Sequence, residues 1–118
     1  MNILPLEIAL STKQTNRFSS IKSRTGITPN IMARIAILKA LEDNIEPEKL
    51  EKASNLSQKI PRDIAFGDFI DLFDFAISHY TKKHSYSGDV RELISNLIET
   101  GAHKIGNIQN ISEIRDKI

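Results

Sequence analysis

The sequence predicts a mainly α-helical fold with a ribbon-helix-helix-like start, in which one N-terminal strand and two helices precede further packed helices. Three observations carry this. Residues 3–10, ILPLEIAL, place apolar side chains at every second position, the signature of a half-buried strand. Helix-start signals follow at Ser11, at Thr28-Pro29 and at Asp89. The later apolar residues recur mostly at helical spacing.

In the strand, Leu4, Leu6, Ile8 and Leu10 share one face, with Pro5, Glu7 and Ala9 on the other. Pro5 has no N–H to give to a ladder, so it belongs at an edge or a strand start. No second convincing strand follows, and an unpaired strand is unsatisfied, so the expected partner is the same strand of another subunit. Ser11 and Gln14 have capping-box spacing, which starts a helix near residue 12. Phe18 and Ile21 are its main apolar contacts, and Gly26 ends it. Thr28 and Pro29 then open a helix from about 29 to 43 that is apolar nearly all round. Such a helix is covered on most sides, by core and by a subunit interface. The interface residues expected are Leu6, Ile8, Ile31, Ile35 and Leu38, in an obligate homo-oligomer for which a tetramer is one option.

The whole chain, 1–118, is expected to form a single domain, with 1–43 as the ribbon-helix-helix-like part. Residues 44–63 are polar, carry Pro47 and Pro61, and predict a connector with one short helix at 47–53. Residues 64–118 form the remaining helical part. A helix over about 67–83 buries Phe69, Leu72, Phe73, Ala76, Ile77 and Tyr80, and its acidic edge is Asp68, Asp71 and Asp74. Asp89 and Glu92 open a helix over Val90–Thr100 that Gly101 closes. Ile111, Ile114 and Ile118 predict a last short helix near 111–118.

With 118 residues, 40% of them hydrophobic and 26% charged, the composition excludes a disordered chain and a collagen-like repeat. There is no cysteine, which excludes disulfides, a persulfide carrier and thiolate-held metal. No apolar run approaches a bilayer span, and MNILPLEIAL lacks the basic start of a secretory signal. A cytoplasmic protein without a membrane partner is the expectation. His79, His84 and His103 match no metal-ligand spacing, and the acids Asp68, Asp71 and Asp74 fit a solvated helix face better than a metal site. The five glycines build no phosphate loop, and no nucleophile stands beside a recognisable base. No catalytic residue, metal or cofactor is expected, and an enzyme is disfavoured.

Charge is distributed unevenly. Residues 1–41 hold six bases against one acid, whereas residues 42–79 hold four bases against nine acids. Lys13, Arg17, Ser20 and Arg24 fall on one helical line, with Lys22 off it. Cations on one helix face can follow phosphates, so Lys13, Arg17, Lys22 and Arg24 are the candidate DNA-binding residues. In a ribbon-helix-helix protein the paired strands enter the major groove. Here their outward residues would be Pro5, Glu7 and Ala9, which offer no bidentate donors to bases. Backbone binding to double-stranded DNA is therefore favoured over sequence-specific repression.

The segment LPLEIALSTKQTNRFSSIKSRTGI, followed by TPNIMARIAI, resembles the DndE family of bacterial DNA sulfur-modification proteins. The likeness continues with Phe66-Gly67 before DFIDLFDFAISHY and with His103-Lys104-Ile105-Gly106-Asn107-Ile108. It covers most of the chain and is weakest over 43–63; of the family's glycine-rich ending only Gly101 and Gly106 are present. The resemblance implies a small, self-associating, DNA-binding partner in the machinery that replaces a non-bridging phosphate oxygen of DNA with sulfur (phosphorothioation). There a desulfurase supplies sulfur, and DndC and DndD supply nucleotide-dependent activation and ATPase activity. The alternative is a stand-alone ribbon-helix-helix regulator or antitoxin, for which the long region after residue 44 is superfluous.

Overall fold

The computed structural model describes residues 3–106. The mainly α class holds, with strand, helix and helix in the expected order. The strand's partner differs. Strand β1 (Glu7–Ser11) pairs antiparallel with β2 (Leu56–Pro61) of the same chain, Ile8 opposite Ile60 and Leu10 opposite Gln58. The Arg62 N–H extends the ladder by donating to the Leu6 carbonyl at 2.8 Å. No subunit ribbon is needed to satisfy β1. The expected connector over 44–63 thus contains β2, and instead of a helix at 47–53 it has one 3₁₀ turn at Pro47–Lys49.

Ile8, Ala9, Leu10 and Ser11 are all buried, because α5 (Val90–Ile105) lies across β1 and Ser95 Oγ donates to the Ala9 carbonyl at 2.8 Å. Ile8 is therefore interior to the single chain and is not available as an interface residue. Leu6 precedes the strand and is exposed.

Helices α1 (Thr12–Thr25) and α2 (Pro29–Glu42) follow the capping signals closely. Ser11 Oγ accepts the Gln14 N–H at 3.1 Å, and Gly26 turns the chain at φ 81°, where a side chain would be strained. α2 buries Met32, Ala33, Ala36, Ile37 and Ala40 against the core, while Ile31 and Leu38 remain exposed and Ile35 half-buried. At its end Asp43 meets Lys104 at 2.7 Å, and that hydrogen bond holds its carboxyl below the usual carboxylate range.

The segment before β2 is tied to α5 through Glu51 N–H to Thr100 Oγ1 at 2.9 Å and Ala53 N–H to Asn96 Oδ1 at 2.8 Å. A short helix α3 (Arg62–Phe66) and a tight turn at Gly67–Phe69 lead into α4 (Ile70–Lys83). α4 buries Phe73, Ile77 and Tyr80. Phe69 and Leu72, expected in the core, are half exposed, and Ala76 is half-buried. The i, i+4, i+7 line sets the inner face, and Leu72 lies about a third of a turn away from it. α5 is the central helix. It does not stop at Gly101 but continues to Ile105 and turns at Gly106, φ 73°. The helix expected near 111–118 lies outside the described residues.

Candidate nucleic-acid interface

α1 contains four cations and no acid. At about 100° per residue, Lys13, Arg17, Ser20 and Arg24 form one narrow strip beside the buried Gln14, Phe18 and Ile21. Lys22 projects roughly half a turn away from Lys13, on the other flank of the buried face. The structure thus brings three of the four candidates together and separates the fourth.

Lys13, Lys22 and Arg24 are exposed, and no described ion pair engages Lys13 or Lys22. Arg24 donates to Ser20 Oγ within the strip. Arg17 is half-buried and donates from Nη1 to the Ala102 carbonyl at 2.9 Å, an oxygen that also accepts the Gly106 N–H. A guanidinium has five donors, so this one bond fixes Arg17 against the last turn of α5 and leaves others for an anion. His103 and Lys104 of that turn are exposed. The sequence pattern of α1 alone does not indicate this neighbour.

The strip is held rigidly. Glu99 of α5, buried, accepts from Ser11 Oγ at 2.7 Å and from Gln14 Nε2 at 2.9 Å. Gln14 therefore does not close the capping box on Ser11; its side chain ties α1 to α5 instead. On the other side, the Thr12 hydroxyl and N–H both donate to the Asn55 carbonyl at 2.8 Å, and Thr15 Oγ1 meets Ser57 Oγ at 3.1 Å. The start of α1 is clamped between α5 and the entry to β2.

The expected strand readers are not presented. Ala9 is buried beneath α5, and Glu7 is half-buried with its carboxylate 3.9 Å from Lys59. The ribbon that a stand-alone regulator would insert into a groove is replaced by the β1–β2 pair.

The remaining candidates disperse. Asp74 is half-buried and accepts the Ile3 N–H, so of the acidic edge Asp68 and Asp71 are the exposed members. His84 Nε2 lies 3.0 Å from Asn44 Oδ1, and His103 Nδ1 lies 3.6 Å from Glu51. Among the described residues no three histidine or acidic side chains are grouped to hold a metal ion, and no helix is long and apolar enough to cross a membrane.

A second surface lies between α2 and α4. Ile31, Leu38, Phe69, Leu72 and Phe75 are all exposed there, Phe75 by 72%. Two open grooves share Leu72: one of about 280 Å³ bordered by Ile31, Ile35, Leu38 and Phe69, the other of about 500 Å³ bordered by Leu41, Phe75 and Tyr80. The signal for it is in the sequence, since residues 69, 72 and 75 are apolar in addition to the inner line of α4.

Comparison with known proteins agrees with the fold. The family model described as DNA sulphur modification protein DndE matches residues 7–113. The crystal structure of DndE from Escherichia coli B7A, involved in DNA phosphorothioation modification, is similar with a TM-score of 0.70 at 21% identity, over 87% of this chain and 98% of that one. A DndE G21/24K mutant involved in DNA phosphorothioation gives 0.65 at 20% identity, over 85% and 96%. No curated protein sequence matches the chain.

Proposed function

The chain belongs to the DndE family of DNA sulphur modification proteins, and on that premise we propose that it is a non-catalytic, DNA-binding subunit of the DNA phosphorothioation machinery. The observation that carries this is the α1 strip: Lys13, Arg17 and Arg24 on one side of a helix without acids, clamped at its start by α5 and the Asn55 segment. A rigid line of cations neutralises phosphates with little regard to base sequence. The absence of cysteine bars the chain from carrying sulfur as a persulfide, so it holds DNA for chemistry performed by others.

Double-stranded DNA is one partner and the other sulfur-modification subunits, DndC and DndD, are the others, and a cytoplasmic location goes with such partners. The apolar surface between α2 and α4 supports self-association, with Ile31, Ile35 and Leu38 among its contacts. Binding of a labelled duplex at a series of salt concentrations tests the DNA reading, comparing wild type with Lys13→Gln/Arg24→Gln. A flattened salt dependence supports it; an unchanged one removes α1 from the interface.

A further inference from the structure

The larger groove between α2 and α4 is bordered by Leu41 and Glu42 at the end of α2 and by Leu72, Phe75, His79 and Lys83 along α4. Leu72 and Phe75 face solvent, and the Phe75 ring stacks on His79 with centroids 6.4 Å apart. The charges beside the groove are ordered. Lys82 and Lys83 stand at the end of α4 and Asp68 and Asp71 at its start, all exposed and none in a described ion pair. The described chain ends beside the basic end. Lys104, two residues before Gly106, bonds to Asp43 at 2.7 Å. Asp43 adjoins Glu42 and Asn44 of the groove rim, and Asn44 meets His84 at the end of α4.

The sequence beyond Gly106 carries Ile111, Ile114 and Ile118, which fall within about 60° of one another at helical spacing. We propose that residues 107–118 cover this groove within the same chain, with the three isoleucines in it and a helix over 111–118 antiparallel to α4. The lengths agree. Residues 107–110 span up to about 14 Å when extended, enough to lead from Gly106 to the rim. Eight helical residues span about 12 Å, the distance along α4 from Tyr80 to Leu72. The charges set the direction: Glu113 falls on the half of the groove near Lys82 and Lys83, and Arg115 and Lys117 on the half near Asp71 and Asp68. The reverse direction would bring like charges together, and Asp116 lies on the side away from the isoleucines. Covering the groove removes Leu72 and Phe75 from water, so any other protein that seeks this groove must displace the segment. The proposal is independent of self-association, because Ile31, Ile35 and Leu38 border the smaller groove and stay uncovered.

The protein has no cysteine, so introduced pairs report proximity in the full chain. Leu72→Cys/Ile118→Cys and His79→Cys/Ile111→Cys should each close a disulfide within one chain under mild oxidation. The crossed pairs, Leu72→Cys/Ile111→Cys and His79→Cys/Ile118→Cys, should close about tenfold more slowly or worse. A disulfide needs Cα atoms about 4.4–6.8 Å apart, and the crossed positions are offset by about 10 Å along the groove. Adding Ile114→Asp should slow the matched pairs to the crossed rate, since it puts a charge into the apolar contact. Leu72 and His79 are exposed, so thermal melting should report an intact fold. Equal rates for matched and crossed pairs, or no effect of Ile114→Asp, overturn the docking. Faster crossed pairs overturn the antiparallel direction. Disulfides that form between chains instead of within one overturn the intramolecular cover.

Discussion

Gly101 of α5 stands directly against the backbone of Ala36 in α2: a Cβ added at Gly101 would lie 1.8 Å from the Ala36 carbonyl oxygen. The two helices touch at that point with no side chain between them. An alanine elsewhere in a helix would stabilise by about 1 kcal/mol relative to glycine. Here overpacking against backbone outweighs it, since the neighbour cannot rotate away. Gly101→Ala should lower stability by about 1–3 kcal/mol or more in urea unfolding. A more stable variant would contradict the close approach.

Glu99 should matter through its hydrogen bonds. Glu99→Ala leaves Ser11 Oγ and Gln14 Nε2 buried without their acceptor, which costs about 1–3 kcal/mol. Because those groups fix the start of α1, the same variant should also weaken DNA binding without altering any cation. A stability change within about 0.5 kcal/mol, the range of ordinary surface positions, would argue against a buried role.

Tyr80 predicts alkaline sensitivity. Burial, helped by nearby Glu48 and Tyr86, pushes its phenol from 10.0 up to about 12, and its hydroxyl donates to the Ile45 carbonyl. Between those values the unfolded chain releases this proton and the folded chain retains it, so stability falls as pH rises. Melting temperatures across that window should drop more steeply for wild type than for Tyr80→Phe. Parallel curves would remove Tyr80 as a cause.

The two helix starts at Ser11 and Thr28-Pro29 are legible in the sequence because capping is local chemistry. β2 is not: of Leu56–Pro61 only Ile60 is buried, so no alternation marks the strand. Gly101 illustrates a different limit. A glycine late in a helix signals either a left-handed stop or a close backbone approach, and only the packing of Ala36 decides between them. Gly106, five residues on, is the actual stop. Leu72 reads as core because it is apolar and helically spaced, but tertiary packing uses the neighbouring line through Phe73. Of the candidate site, the α1 strip is readable from spacing, whereas the tie from Arg17 to Ala102 joins residues far apart in sequence and has no local signature.

The salt dependence of duplex binding tests the central claim most directly. Removing one cation that neutralises a phosphate should flatten the slope of log affinity against log salt by about 0.9. Lys13→Gln and Arg24→Gln should each flatten it by that amount, equally on unrelated duplexes, and together by about twice as much. Lys22→Gln, on the far flank of α1, should leave the slope nearly unchanged. Equal flattening for Lys22→Gln and Lys13→Gln, or a double variant with the wild-type slope, would contradict a DNA interface along this strip.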